Sequence, residues 1–183
     1  MRRIVVSEFV SLDGVMEAPD QWHFPFFNEE AGKYKDDELF ASDALLLGRV
    51  TYEGFAAAWP SMTDEEGFAD RMNGYPKHVV STTLEEPLEW NNSTLVKGDV
   101  AEGVAELKRQ PGKDILVFGS ADLVNALMEH DLIDEYRLMV HPVVVGRGKR
   151  LFGNRGDAKA LRLEETKTFD SGVVVLTYGP ADE

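Results

Sequence analysis

Apolar residues come in short runs separated by amphipathic stretches, and the two alternate along most of the chain. Ile4 to Val10 is an apolar, β-branched run that predicts a strand, closed by Leu12-Asp13-Gly14, which has turn chemistry. Trp22, Phe24, Pro25, Phe26 and Phe27 mark an aromatic loop, followed by a predicted helix from about Glu29 to Phe40. Ala44 to Leu47 is a continuous apolar run, the pattern of a strand covered on both faces. Gly48-Arg49-Val50-Thr51 breaks it, and Tyr52 to Trp59 predicts a short helix stopped by Pro60. Further strands are predicted at Lys77 to Ser81, Thr94 to Val96 and Ile115 to Phe118, with a helix from Val100 to Arg109 ended by Pro111-Gly112. Gly119-Ser120 then leads into a helical stripe of Leu123, Val124, Leu127 and Met128. Beyond Asp134 only strands are predicted: Glu135 to Val145, Leu161 to Thr168 and Val173 to Tyr178, the last two joined through Asp170-Ser171-Gly172. This order predicts an α/β domain of layers around a mostly parallel, mixed central sheet with a C-terminal antiparallel hairpin.

Composition narrows the picture. At 183 residues and 43% hydrophobic, the chain suits one domain spanning residues 1–183. No apolar run is long enough to span a bilayer, and Arg2-Arg3 leads straight into a strand, so a cytoplasmic protein without a membrane partner is expected. Zero cysteines exclude a thiol nucleophile, a disulfide framework and a thiolate metal site. A formal net charge of -14 repels phosphate backbones, which argues against a nucleic-acid partner.

The candidate chemistry lies where strands end. Gly48 to Thr51, Ser81 to Thr83, and Gly119 with Ser120 each put small or hydroxyl residues at the end of a predicted strand. In open α/β sheets ligands bind outside the carboxyl ends of strands, where glycine admits close backbone approach and helix N-termini offer unpaired N–H groups to phosphate. A pyrophosphate is expected between the Gly48 and Gly119 turns, with Arg49 supplying positive charge and Ser81 and Thr82 meeting a more distant phosphate. Thr51 and Ser120 serve equally well as ordinary N-caps. No Gly-x-Gly-x-x-Gly fingerprint and no P-loop occurs, so any nucleotide fold here is of another kind.

Several segments, taken in order, resemble the dihydrofolate-reductase-like proteins that include the reductase domain of bacterial riboflavin biosynthesis. They are Ser11-Leu12-Asp13-Gly14, Leu46-Leu47-Gly48-Arg49-Val50-Thr51-Tyr52-Glu53, Val117-Phe118-Gly119-Ser120, Leu132-Ile133-Asp134-Glu135-Tyr136, and His141-Pro142-Val143-Val144-Val145-Gly146-Arg147-Gly148. The resemblance covers nearly the whole chain. It implies a three-layer dihydrofolate-reductase-like fold, NADPH as hydride donor, a small-molecule substrate and a homodimer. Gly48, Arg49, Thr51, Gly119 and Ser120 would then meet the coenzyme phosphates, and Ser81 and Thr82 would lie toward the adenosine 2′-phosphate. One departure bears on mechanism. Trp22-His23-Phe24-Pro25 is similar to the Trp-x-x-Pro of true dihydrofolate reductases, whose carboxylate two residues beyond the proline assists protonation; that position is Phe27 here.

Hydride transfer asks little of side chains beyond orientation, electrostatics and a proton source. Asp13 and Glu29 are the candidate catalytic carboxylates, Asp13 serving equally as a turn former beside Gly14. Trp22, His23 and Phe27 are the candidate substrate contacts, with core or dimer packing as their other use. No histidine pair has ligand spacing, so no metal is expected. Gly146-Arg147-Gly148-Lys149-Arg150, the basic cluster of an acidic chain, reads as a phosphate-attracting patch or an exposed turn. Two functions from different classes fit: reduction of a pteridine- or aminopyrimidine-like heterocycle with NADPH, or a catalytically idle ligand-binding homodimer of the same fold.

Overall fold

A computed structural model describes residues 1–153 and 157–182. The strands are β1 Ile4–Val10, β2 Ser42–Gly48, β3 Lys77–Val80, β4 Ser93–Leu95, β5 Asp114–Val117, β6 Glu135–Val140, β7 Leu161–Thr168 and β8 Val174–Pro180. The α-helices are α1 Glu29–Phe40, α2 Arg49–Ala58, α3 Phe68–Gly74, α4 Val100–Arg109 and α5 Ala121–Glu129. All strands join one sheet in the order β4-β3-β2-β5-β1-β6-β8-β7. The first six places are parallel, and β8 and β7 complete the sheet as the antiparallel hairpin.

Handedness then decides where the helices go. From β1 the chain moves through α1 to β2 and through α2 and α3 to β3, stepping toward one edge; from β4 it returns through α4 to β5 and through α5 to β6. Right-handed crossovers running in opposite directions must lie on opposite faces. Accordingly Leu39, Tyr52 and Met72 of α1 to α3 pack with Val5, Leu45 and Leu47, whereas Val104 and Leu107 of α4 and Leu123, Val124 and Leu127 of α5 pack with Ile4, Val6, Leu46 and Val117. Strands alternate their side chains between faces, so neighbours in sequence feed different layers.

Three local readings are corrected. The second helix begins at Arg49 instead of Tyr52, because Gly48 already takes the extended cap conformation and the first turn can form at once. Helix α3 was not foreseen; it is short, and Asp64 nucleates it by accepting from the backbone N–H groups of Gly67, Phe68 and Ala69. The sixth strand stops at Val140 instead of Val145, since Pro142 brings no N–H to a ladder and the following backbone is taken up by Asp13. No described helix is long and apolar enough to cross a membrane.

Candidate active site

The rim formed by the carboxyl ends of the parallel strands carries the Gly48 and Gly119 turns side by side. Gly48 caps α2, Ser120 caps α5, and the Gly48 N–H donates to the Gly119 carbonyl at 2.9 Å. These helices leave adjacent strands on opposite faces, which makes the gap between them the topological switch point of the sheet. Both glycines are buried, and neither has room for a side chain: a Cβ on Gly48 would run into Ser120, and one on Gly119 would lie 2.5 Å from Thr51 Oγ1. The backbone here is bare, and two helix N-termini bring partial positive charge to the same rim.

Arg49 stands exposed in the first turn of α2, its guanidinium 3.0 Å from Glu53. Ser81 follows β3, whose last residue Val80 pairs with Gly48. Its hydroxyl accepts from the N–H groups of Thr83 and Leu84 at 3.1 and 3.0 Å, and Thr82 is exposed beside it. The basic cluster reaches the same region, because Lys149 Nζ lies 2.7 Å from Asp122 in the first turn of α5.

Across the rim, β1 continues to Val10 although its pairing with β5 stops at Val6 and Val117. Beyond that point β1 stays with β6 alone, and its parting from β5 marks the crevice expected at this rim of an open α/β sheet. On the α1 face, Phe9 stacks on His23 at 4.8 Å, and the His23 ring meets Phe27 edge-on at 6.1 Å. Phe27 is exposed and His23 buried. Trp22 instead turns into the interior, packing on His141 and donating from Nε1 to the Glu17 carbonyl. Burial holds the His141 ring below the ordinary histidine pKa.

The two candidate carboxylates lie apart. Asp13 accepts from Ser11 Oγ at 2.6 Å and from the N–H groups of Val145 and Gly146 at 3.1 and 2.8 Å, tying β1 to the loop after β6. Those bonds pull its pKa down to about 2, so it is ionised at neutral pH and has no proton to give. Glu29 is exposed in the first turn of α1, where its charge suits the helix N-terminus.

Two charged residues at the crevice escaped the sequence reading. Lys35, its side chain only 12% exposed, reaches from α1 to Glu38 at 2.7 Å and Ser7 Oγ at 3.0 Å. Its ammonium lies 4.5 Å from the Phe118 ring centre and 5.3 Å from that of Phe9. Glu8, on β1, is buried. A signal existed for both: Glu8 interrupts an apolar strand, and Ala31, Lys35 and Glu38 follow the spacing of a helix's buried stripe.

A doubly wound sheet with a glycine cradle at its switch point and a C-terminal antiparallel hairpin defines the dihydrofolate-reductase-like class. Within it, the chain belongs to the RibD C-terminal domain family, whose profile matches residues 2–175. The uncharacterized protein YyaP of Bacillus subtilis (strain 168) is 33% identical over 181 residues, covering 97% of this chain and 94% of that protein. Among solved structures, a pyrimidine reductase-like protein from Corynebacterium diphtheriae superposes with a TM-score of 0.73 at 11% identity, over 100% of this chain and 93% of the other. Dihydrofolate reductase from Enterococcus faecalis, solved with NADP(H), superposes with a TM-score of 0.66 at 15% identity, over 98% and 97%.

Proposed function

We propose that this chain is a cytoplasmic, NADPH-dependent reductase of a small heterocycle of pteridine or aminopyrimidine type. The observation that carries the reading is the hydrogen-bonded meeting of Gly48 and Gly119, each leading into a helix, at the switch point of the sheet. Bare backbone and paired helix N-termini suit a pyrophosphate. Arg49 adds charge, Thr51 and Ser120 place hydroxyls against the glycine of the opposite turn where the phosphates would sit, and Ser81 and Thr82 offer hydroxyls on the side where a 2′-phosphate would lie.

When bound, NADPH supplies the hydride; the chain's part is orientation, exclusion of water and control of charge. Phe9, His23 and Phe27 present ring surface to a planar substrate. Asp13, being ionised and engaged with its loop, is unsuited to deliver a proton. Lys35 Nζ, a charged donor among apolar rings, is the group suited to steady negative charge growing on the acceptor heteroatom.

The thermal test is direct. NADPH at about 100 times its dissociation constant should stabilise the protein by roughly 2.7 kcal/mol. Arg49→Ala should forfeit most of that shift while melting like the parent without ligand. An unliganded melting curve that NADPH leaves in place would sink the coenzyme reading.

The homodimer belongs to the same reading. Val140, Leu176 and Tyr178 remain partly exposed on the α5 face of the sheet, and edge strand β7 beside them is open along most of its length, with Leu163 51% exposed. A second copy is the occupant that closes such a face on both partners at once. Leu176→Arg should therefore halve the sedimenting mass; a parent chain already sedimenting as a monomer would refute the dimer.

A further inference from the structure

A pocket of about 440 Å³ opens at the ends of β1 and β6, lined for the most part by Val10, Leu12, Leu138, Val140, Leu151 and Phe152. Val140 carries it into the face assigned above to a second copy, because Val140 pairs with Val174 and Leu138 with Leu176. Farther along, β7 sets Leu163, Thr166 and Thr168 beside Tyr178, Leu176 and Val174, and turns Arg162, Glu165 and Lys167 to the opposite side. From β1 to β7 the strand residues of this face therefore expose no charged side chain. Two copies of a chain with net charge -14 repel each other, so a neutral face is where an equally acidic partner is best tolerated. Leu12, Phe152 and Leu163 project from the same face that holds the hollow. A twofold axis matches such projections to such a hollow twice over.

One wall of the pocket also supports the glycine cradle. Residues 11–17 run against residues 143–151 as a ribbon: Leu12 N–H donates to the Val143 carbonyl at 2.8 Å, Leu151 N–H to that of Gly14 at 3.0 Å, and Met16 N–H to that of Lys149 at 2.9 Å. Lys149 N–H returns a bond to the Glu17 carboxylate at 2.8 Å. Leu12 and Leu151 give the ribbon its pocket side. At its other end Met16 Cε lies 3.4 Å from the point that a Cβ on Gly119 would occupy, and Lys149 pairs with Asp122 in the first turn of α5. With the pocket open, water lies against the apolar side of this ribbon; a partner seated there holds it from both sides. A partner that fixes the ribbon and a coenzyme that needs the cradle fixed favour each other, by the same factor in each direction.

We propose that a second copy of the chain fills this pocket and that its docking raises the affinity of the Gly48 and Gly119 cradle for NADPH. The coupling rests on the coenzyme and the dimer of the proposed function.

Sedimentation and calorimetric titration with NADPH, each run on the same samples, test it. Leu163→Arg lies on β7, three strands from β1 and clear of the ribbon. It should sediment as a monomer and bind NADPH about tenfold more weakly than the dimeric parent, a factor ordinary for coupled sites. In return, saturating NADPH should lower the parent's dimer dissociation constant about a hundredfold, because two sites are loaded. Leu12→Arg, at the pocket itself, should also sediment as a monomer. Thr166→Arg, exposed on the same face, repeats the affinity test if Leu163→Arg does not fold. A monomeric Leu163→Arg that keeps the parent's NADPH affinity, or a dimer dissociation constant that NADPH leaves unchanged, would overturn the coupling. A Leu12→Arg chain that still sediments as a dimer would overturn docking at the pocket. A monomeric parent removes the dimer reading, a dimeric parent that does not bind NADPH removes the coenzyme reading, and either result takes the coupling with it.

Discussion

Gly119→Ala should abolish NADPH binding and destabilise the unliganded fold by about 2–6 kcal/mol, the sum of two costs. Gly119 has φ +128, a backbone region that L side chains rarely adopt, which costs about 1–3 kcal/mol. The new methyl would also press on Thr51 Oγ1 at 2.5 Å, and relieving such overpacking typically costs about 1–3 kcal/mol more. Gly48→Ala meets only the second cost, because its φ of -76 is ordinary, but the obstacle includes the backbone of Ser120 and cannot rotate away. It should lose about 1–3 kcal/mol and the same ligand response. Gly54, inside α2 with nothing near its Cβ position, is the control: alanine there should stabilise by roughly 0.5–1 kcal/mol and leave NADPH binding intact. Urea denaturation with and without NADPH reads all of these, and full binding by Gly119→Ala would show that the cradle is not where the phosphates sit.

Glu38→Gln should be the most damaging single change remote from the glycines, at about 3–5 kcal/mol in urea denaturation. Its carboxylate is 1% exposed and stands between two cations, Lys35 at 2.7 Å and Arg137 at 3.2 Å. Arg137 in turn meets Glu135, Glu135 meets Arg3, and Arg3 meets Asp114, so charges of alternating sign run from the crevice to the opposite end of the sheet. Removing one inner member leaves cations facing each other under α1 with their water already gone. The triple variant Lys35→Met, Glu38→Leu, Arg137→Met should be less destabilised than Glu38→Gln alone, because it removes Glu38 together with both of its cations while Glu135 keeps Arg3. On the proposed function it should also lose heterocycle reduction while keeping NADPH affinity, since that reading gives Lys35 the charge on the acceptor to steady. If the triple variant proves the less stable of the two, burial of uncompensated charge is not what Glu38 prevents.

The local pattern carried a good deal of this. The bounds of α1 and α4, the apolar runs that became strands, and the glycines and hydroxyls at strand ends were all legible, because each depends on propensity, capping and periodicity within a few residues. Even the errors are local: the early start of α2 turns on the conformation of Gly48, and the short β6 on Pro142 and a distant carboxylate. Asp13 shows the limit. Beside Gly14 it reads as a turn former or as an acid, and only the N–H groups of Val145 and Gly146, more than a hundred residues away, make it a clip between β1 and the loop after β6.

By itself the sequence determined the fold class, the order of the strands and of every α-helix but α3, and the three small-residue turns. It also determined the Phe27 departure from the true dihydrofolate reductases. Only the tertiary structure decided that β5 inserts between β1 and β2, and everything about the crevice follows from that insertion. It brings Gly119 to Gly48, ends the pairing of β1 with β5 at Val6, and leaves Lys35 between the rings of Phe9 and Phe118. Strand order is settled by crossover handedness and by burial summed over both faces. The state of a buried charge is settled by whichever partners that order delivers. Neither quantity is written in any short stretch of residues.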